Sequence, residues 1–512
     1  MIRVYDTLTR QLRDFVPRDP GQVSIYVCGV TPYDEAHLGH ARPSVFWDVV
    51  RRYLEYRGYR VRLVQNFTDI DDKVIARARE LGRNPLDVSR EYSRRYLEDM
   101  ASLGVKPVDH YPRVSEHIPE IIRIIAGLVE KGFAYEAGGD VYFAVKRFPS
   151  YGKLSGRSVD ELWAGARVEV GEQKRHPEDF ALWKAAKPGE PSWPSPWGPG
   201  RPGWHIECTA MALHYLGNGF DLHGGGIDLI FPHHENEIAQ SEAFTGEEPF
   251  VRYWLHNGLI TMRQDKMSKS LKNFVTIRAL LRQHSPGAIR LFLLSTHYRS
   301  PLELPPDYGE RLQEAERAHE RLLNASRRLR EALEFWPKGA AQAVPGATPP
   351  AGPAPAAADA TEMLRKATTQ ARDDFQRALD DDFNTPLALA SLFELVRASN
   401  SALDQIVPDG GREGEVRQAL AEALQTMEEL GGILGLLKAA GGQAAGGQAA
   451  GEDAALVGEL VDLLVELRTR ARQRKQWEEA DLIRDRLGEM GIALEDTALG
   501  TRWRRRRGEE GR

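Results

Sequence analysis

The feature that most constrains this chain is a β-α-β run close to its start. Val23-Ser24-Ile25-Tyr26-Val27-Cys28 is apolar enough for a strand buried on both faces, and Gly29 is expected to stop it. A helix is expected over 39–56, a second strand over 60–67 and a further helical pattern over 72–80. Strands joined through a helical crossover pair in parallel, and a parallel sheet needs helices on its faces. Strands at 220–223 and 253–261 would extend that sheet after an insertion near 110–200. The end of the insertion, 188–204, is rich in Pro, Gly and Trp and reads as loop. The expected class is therefore α/β, with a Rossmann-type parallel sheet.

At 512 residues the chain has room for about three domains. Its 42% hydrophobic and 28% charged residues exclude collagen-like and wholly disordered classes. The formal net charge of −6 gives no chain-wide basic field, so nucleic acid would be met by local patches. No stretch approaches the roughly 18 apolar residues of a membrane span, and Met1-Ile2-Arg3-Val4-Tyr5-Asp6 lacks a signal-peptide pattern. A cytoplasmic location is expected. Cys28 and Cys208 are the two cysteines, which excludes a disulfide framework and leaves metal ligands or buried hydrophobes. Residues 338–359 are almost all Ala, Pro and Gly and read as a disordered linker. A five-residue tandem repeat at 441–450 marks a flexible tether within 438–452. Amphipathic helices are expected between the linkers, as at 387–396 and 416–437. Two more follow after 453, before a tail holding Arg504-Arg505-Arg506-Arg507.

His37-Leu38-Gly39-His40 falls on the first strand-to-helix turn, where open parallel sheets place their ligands. Two imidazoles three apart would share a helical face, beside amides and a positive dipole end that suit an anion. Gly39 would let a flat ring approach the backbone. A nucleoside phosphate fits this chemistry; ordinary turn residues are the alternative, and four residues alone do not decide. The second element is Lys266-Met267-Ser268-Lys269-Ser270. At about 5% usage each, five specified residues recur by chance in roughly one such chain in several thousand. Its two ammonium groups could close on a triphosphate and neutralise charge as the α-phosphoryl group is attacked. Together the motifs resemble the signatures of class I aminoacyl-tRNA synthetases. The resemblance implies ATP with Mg²⁺, bound by His37, Gly39, His40, Lys266 and Lys269, the histidines and lysines serving catalysis.

The cysteines narrow the family. Cys28 closes the first strand, and Cys208 lies in Gly203-Trp204-His205-Ile206-Glu207-Cys208. In His233-His234-Glu235-Asn236-Glu237 an imidazole and a carboxylate stand four apart, one above the other on a helix. Cys28, Cys208, His233 and Glu237 would make a tetrahedral shell suited to one Zn²⁺ per chain. Inert packing is the alternative for a free cysteine. Adding Tyr26-Val27-Cys28-Gly29, Thr68-Asp69-Ile70-Asp71-Asp72-Lys73 and Phe231-Pro232-His233-His234-Glu235-Asn236-Glu237, nearly the whole chain resembles the cysteinyl-tRNA synthetase family. Val30, Pro32 and Lys272 depart from the commonest family pattern, which bears on loop geometry. Two thiolates and a carboxylate would leave zinc with a net charge of about −1, a poor water activator that can still take a soft thiolate. The resemblance thus implies recognition of L-cysteine through sulfur, with serine rejected as the harder ligand and no editing domain in evidence.

Other roles rest on the resemblance. Trp204 and His223 would wall the amino-acid pocket, Gly29 and Thr68 would hold the substrate, and Asp228 would face the substrate or adenosine side. The glycines of His223-Gly224-Gly225-Gly226-Ile227-Asp228 allow close backbone approach or simply form a turn; both readings stand. The implied order is a catalytic domain at 1–311 with its lysine loop at 266–270, then a helical-bundle tRNA-binding domain at 312–437. Asp380-Asp381-Asp382-Phe383-Asn384-Thr385-Pro386 would open that bundle, and 453–512 would be a small anticodon-binding domain. There Arg472, Trp477, Asp481 and Asp496 would contact tRNA(Cys), by stacking and by accepting from base amino groups. Helix-face packing is the alternative for Trp477, and a solvated tail for the arginine run. A monomer without membrane association is expected. One rival is a ligase joining activated cysteine to a small amine, which has no use for 312–512. Another is a non-catalytic RNA-binding or zinc-sensing relative, which would have lost His37, His40 or Lys269.

Overall fold

The computed structural model describes residues 1–156, 158, 173–262, 265–266, 275–304, 308–335, 355–406, 413–437, 448–497 and 500–505. The chain divides into two compact units: Met1–Leu333 with Ala340–Ala439, and Ala440–Arg512 with Glu334–Gly339.

The first unit is built on four parallel strands, β1 (Gln22–Val30), β2 (Arg60–Phe67), β3 (Phe220–Gly226) and β4 (Val251–Asn257), in the order β4-β3-β1-β2. Helix α1 (Leu38–Tyr56) makes the crossover from β1 to β2. Val23, Ile25, Tyr26 and Val27 are all buried, as a central parallel strand requires. Gly29 does not end β1. The strand continues to Val30 through a register shift, because a Cβ at 29 would sit 1.5 Å from the Asn66 carbonyl oxygen. The expected strand over 253–261 is two strands. β4 ends at Asn257, and Ile260–Met262 joins Asp265–Lys266 and Leu302–Leu304 in a separate sheet. Gly258 makes the break, since a Cβ there would lie 2.3 Å from the Ser300 carbonyl oxygen.

The insertion carries the helix Ile118–Glu130 and a four-stranded antiparallel sheet of Ala134–Ala137, Asp140–Phe143, Phe180–Ala185 and Gly200–Pro202. The last of these falls inside the stretch expected to be loop. Four helices follow: Tyr308–Phe335, Pro355–Asp380, Thr385–Gln405 and Glu413–Ile433. Both expected linkers are shorter than the sequence suggests. Residues 355–359 are already helical, and so are 448–452 at the start of Gln448–Gln473; alanine, the best helix former, extends both helices outward. Residues 336–354 and 438–447 lie outside those described.

The Asp380–Pro386 motif does not open the bundle. It is the turn between the second and third helices, with Asp382 and Phe383 at φ 59° and 51°. Asp382 accepts from Tyr5 N at 2.8 Å, Tyr298 O–H at 2.8 Å and Arg299 Nε at 2.6 Å. Phe383 packs edge-on against Phe46 and Tyr53 of α1. Arg290, 1% exposed, bonds Asp48 of α1 at 2.6 Å and the Leu434 carbonyl at 2.9 Å. These contacts fasten the helices to the sheet domain.

In the second unit, Gln448–Gln473 and Trp477–Glu489 are followed by an antiparallel hairpin, Ile492–Thr497 with Gly500–Arg505. Val461, Leu487 and Ile492 form its core, covered by Ile483, Leu494 and Trp503 among others. Among the described residues, no helix is long and apolar enough to cross a membrane.

Candidate metal centre and substrate site

Near the carboxyl end of β1, helices α2 (Trp204–Leu216) and α3 (Glu235–Thr245) converge on one buried cluster. Ligand atoms of Cys28, Cys208, His233 and Glu237 all lie within 4.8 Å of one another. The two sulfurs are 3.7 Å apart, and Glu237 Oε1 is 3.6 Å from Cys28 Sγ and 3.1 Å from His233 Nε2. His233 is not on the body of the helix. It sits in a wide turn, Ile230–His234, where Phe231 is non-helical, yet it still meets Glu237 four residues on. A second quartet, Cys28, His223, His234 and Glu237, is equally compact and shares two members, so one ion could use either set but not both. The donors favour the first, which offers two sulfurs. His223 Nε2 instead holds the other Glu237 oxygen at 2.9 Å, and His234 Nε2 lies 3.3 Å from Cys28 Sγ.

Burial raises the Glu237 carboxyl, but His223 and His233 outweigh it and hold the group at about 2. Burial lowers His233, and Cys208 and Glu237 reverse this, raising it to about 10. The hydrogen bond from Cys28 draws Cys208 down to about 6, while burial pushes Cys28 well up. The cluster thus sets thiolate and carboxylate against a cation. A divalent ion suits such a donor set, displacing protons from His233 and Cys28. Further out, a hydrogen-bond chain runs Thr7–His256–His234–Cys28, with steps of 2.8, 2.8 and 3.3 Å. Burial drives His234 far down and His256 to about 3, so both rings are neutral and each can donate one N–H along the chain.

His37 is the residue that caps α1, so the two imidazoles do not share a helical face. The rings stack at 3.8 Å, and the backbone N–H of His37 donates to His40 Nδ1 at 3.3 Å. The flat ring close to Gly39 is that of His37 itself, 2.9 Å from where a Cβ would stand. Lys266 ends a two-residue strand, and Lys269 lies outside the described residues with 267–274. Where the chain is next described, Thr276 pairs with His37 and Leu38 N–H donates to the Val275 carbonyl at 3.1 Å. The chain is thus paired with the histidine turn from Val275 and Thr276 onward.

Residues 14–316 match the family model of the class I (C) tRNA synthetase catalytic domain. Residues 374–438 match the DALR domain, and 457–504 the cysteinyl-tRNA ligase anticodon binding domain. Over 98% of its length the chain is 52% identical to all of the cysteine–tRNA ligase of Pelotomaculum thermopropionicum. It is 54% identical over 98% of its length to 99% of that of Moorella thermoacetica. This chain belongs to the cysteine–tRNA ligase family. The class I fold is also seen in a Mycobacterium tuberculosis methionyl-tRNA synthetase solved with methionyl-adenylate. That likeness has a TM-score of 0.61 at 16% identity, and covers 81% of this chain and 91% of that one.

For a cysteine–tRNA ligase the remaining expected residues are distributed unevenly. Trp204 is 42% exposed and stacks on His233 at 4.5 Å, at the mouth of the cluster. His223 is fully buried behind Glu237 and so stands back from any pocket wall. Gly29 N–H donates to Asn66 Oδ1 at 2.8 Å, and Asn66 Nδ2 donates to Thr68 Oγ1 at 3.3 Å. Asp228 is exposed on the short turn Ile227–Leu229. The glycines before it serve close packing: a Cβ at 224 would strike Trp47, and one at 225 His234. In the second unit Arg472 lies near the end of its helix, and Trp477 begins the next, 57% exposed. Asp481 pairs with Arg484 at 3.1 Å. Asp496 is in the hairpin, its side chain outside those described. Sequence reasoning missed Thr7, Asn66, Glu207 and His256. Only Glu207, beside Cys208 in a motif, carried any local signal.

Proposed function

We propose that the quartet Cys28, Cys208, His233 and Glu237 binds one zinc ion per chain and that this centre selects L-cysteine by its sulfur. The reaction is that of the family: cysteine is activated with ATP and transferred to tRNA. The observation that carries the zinc reading is the meeting of two sulfurs, an imidazole and a carboxylate within 4.8 Å. When bound, the ion would supply a soft, electron-rich Lewis acid for a thiolate, too weakly acidic to activate water. Serine's hydroxyl ionises far less readily and is a harder ligand, so discrimination needs no editing step.

The chain's own residues then divide the work. His37, Gly39 and His40, with Lys266 and Lys269, bind ATP with its Mg²⁺ and steady the α-phosphoryl group. The return of the chain from the lysine segment to His37 supports this. Trp204, Gly29, Thr68 and Asp228 surround the amino acid, while His223 holds Glu237 in place. Residues 1–311 form the catalytic domain and 312–437 the helical domain that carries tRNA(Cys). Residues from about 448 read the anticodon through Arg472, Trp477, Asp481 and Asp496. The protein works as a cytoplasmic monomer. A ligase for a small amine is disfavoured by the anticodon-domain match at 457–504.

The test is cysteine-dependent exchange of pyrophosphate into ATP, followed by charging of tRNA(Cys), on protein analysed for metal. Zinc near one per chain with both activities is expected. Exchange without charging would restore the small-amine reading, and an active protein free of metal would end the thiol–zinc one.

A further inference from the structure

Two distant stretches of chain meet the start of α1 at one guanidinium. Arg42 is 3% exposed, and its Nη1 donates to the carbonyls of Gly258 and Leu259 at 2.9 and 3.1 Å. Its Nη2 donates to the His297 carbonyl at 3.1 Å and to that of Ser300. Among the described residues no carboxylate pairs with it. Burial draws the group down to about 10, so it stays charged at neutral pH, with carbonyl dipoles for partners. A buried charge without a counter-ion is a costly way to fasten a helix. What arginine offers here is its shape, a planar fork whose two ends hold two segments at a set spacing.

Both segments lead into the same small sheet. Gly258 and Leu259 run into Ile260–Met262, and Ser300 runs into Leu302–Leu304, its parallel partner. Leu302 N–H donates to the same Leu259 carbonyl at 2.9 Å. The third strand, Asp265–Lys266, lies antiparallel on Ile260–Met262 with Lys266 opposite Thr261. Across one strand pair, Lys266 therefore stands close to a carbonyl that Arg42 holds. We propose that Arg42 is a positioning residue for adenylate formation: its fork sets the strand that carries Lys266 in register with the histidines that open α1. This rests on the reading that His37, His40 and Lys266 grip ATP. That grip is shared between two elements, α1 and the small sheet, and phosphoryl attack needs groups on both aligned at once. A lysine at 42 keeps the charge but has one nitrogen in place of the fork, so it reaches one segment and not both.

The test is the single-turnover rate of adenylate formation in the full, zinc-loaded chain. Arg42→Lys should slow it about ten-fold and Arg42→Met about a hundred-fold, the cost of reacting groups held slightly out of place. KM for cysteine and zinc content should stay within about two-fold in both, because the sulfur site shares none of these bonds. KM for ATP should rise less than about three-fold, since the alignment counts most in the transition state. In a Lys266→Ala background, Arg42→Lys should slow the reaction by less than about two-fold more. Should the methionine variant not fold, Arg42→Lys and its pairing with Lys266→Ala carry the test. Native rates in Arg42→Lys would show that charge alone is used. Additive loss with Lys266→Ala would show that Arg42 acts elsewhere, and equal loss of zinc and cysteine binding that it merely holds the fold. Each of these overturns the proposal. If Lys266→Ala itself leaves adenylate formation unchanged, the lysine reading falls and the inference with it. If only the Arg42 variants are silent, the lysine reading stands and the inference alone fails.

Discussion

Cys208, His233 and Glu237 are at most 2% exposed, whereas Trp477 and Asp481 stand 57% and 59% in solvent. The first group is a set of charges that compensate one another inside the protein. Removing a partner from such a set strands the rest, at a cost of about 3–5 kcal/mol, so it is expected to fail all at once. The second group, in the proposed role of anticodon reader, would have to be reached by an unstacked base, and each contact there would contribute about 1–3 kcal/mol on its own. A sulfur and an oxygen differ little in shape, so telling them apart needs ligand chemistry in a closed site. A base offers a broad ring and several edge groups, so an open surface suffices. The interior should be brittle and the surface gradual.

The largest effect should come from Cys208→Ser. Zinc content should fall from near one per chain to near none, and a preference for cysteine over serine of about 10⁴–10⁵ should collapse with it. A serine variant that keeps both would show that the cluster is not the thiol reader. Next is Lys269→Ala, expected to slow adenylate formation by about 10²–10³-fold in single-turnover measurements, since it removes charge needed mainly in the transition state. Normal activation with only transfer impaired would move Lys269 to the tRNA side of the comparison.

Removal of the second unit separates the two regions directly. The cut belongs near residue 440, where the compact units divide, because a cut at 453 would split a helix that starts at Gln448. Pyrophosphate exchange should stay within about two-fold, while charging of tRNA(Cys) should fall about a hundred-fold or more as several base and phosphate contacts vanish together. Equal loss of both activities would mean that the units are not independent.

What was legible in the sequence tracks how local its cause is. The parallel β-α-β core is written in runs of Val, Ile and Tyr, and β2 is found at 60–67 as expected. The four cluster residues could be picked out because Cys, His and Glu in short motifs have few other uses. The bounds that slipped depend on distant partners. Gly29 reads as a stop and Gly258 as the interior of a strand, but the first keeps a strand paired against Asn66 and the second parts two sheets at Ser300. Asp382 reads as the start of a helical domain, while its partners Tyr5, Tyr298 and Arg299 lie far away in the chain. His256 and Thr7 were invisible for the same reason, since nothing near them in sequence points to Cys28.

The smallest effect is the sharpest probe of the surface half. Trp477 is the first residue of its helix, and the core of the second unit is Val461, Leu487 and Ile492 with their neighbours, of which Trp477 is not one. Its indole is therefore not spent on folding, and Trp477→Ala should leave the thermal midpoint of the protein almost unmoved. A stacked base lost at about 1–3 kcal/mol predicts a ten- to hundred-fold fall in the efficiency of tRNA(Cys) charging, seen mainly in KM for tRNA. Trp477→Phe keeps a ring and should recover much of it. Exchange of pyrophosphate should not change, because every phosphate and sulfur contact assigned to that step lies before residue 271. Asp481 is one helical turn on, paired with Arg484, so Asp481→Asn should add its own smaller loss. If Trp477→Ala instead unfolds the unit without a specific tRNA defect, the indole is a packing residue, and the contrast between a buried reader and an exposed one fails at its exposed end.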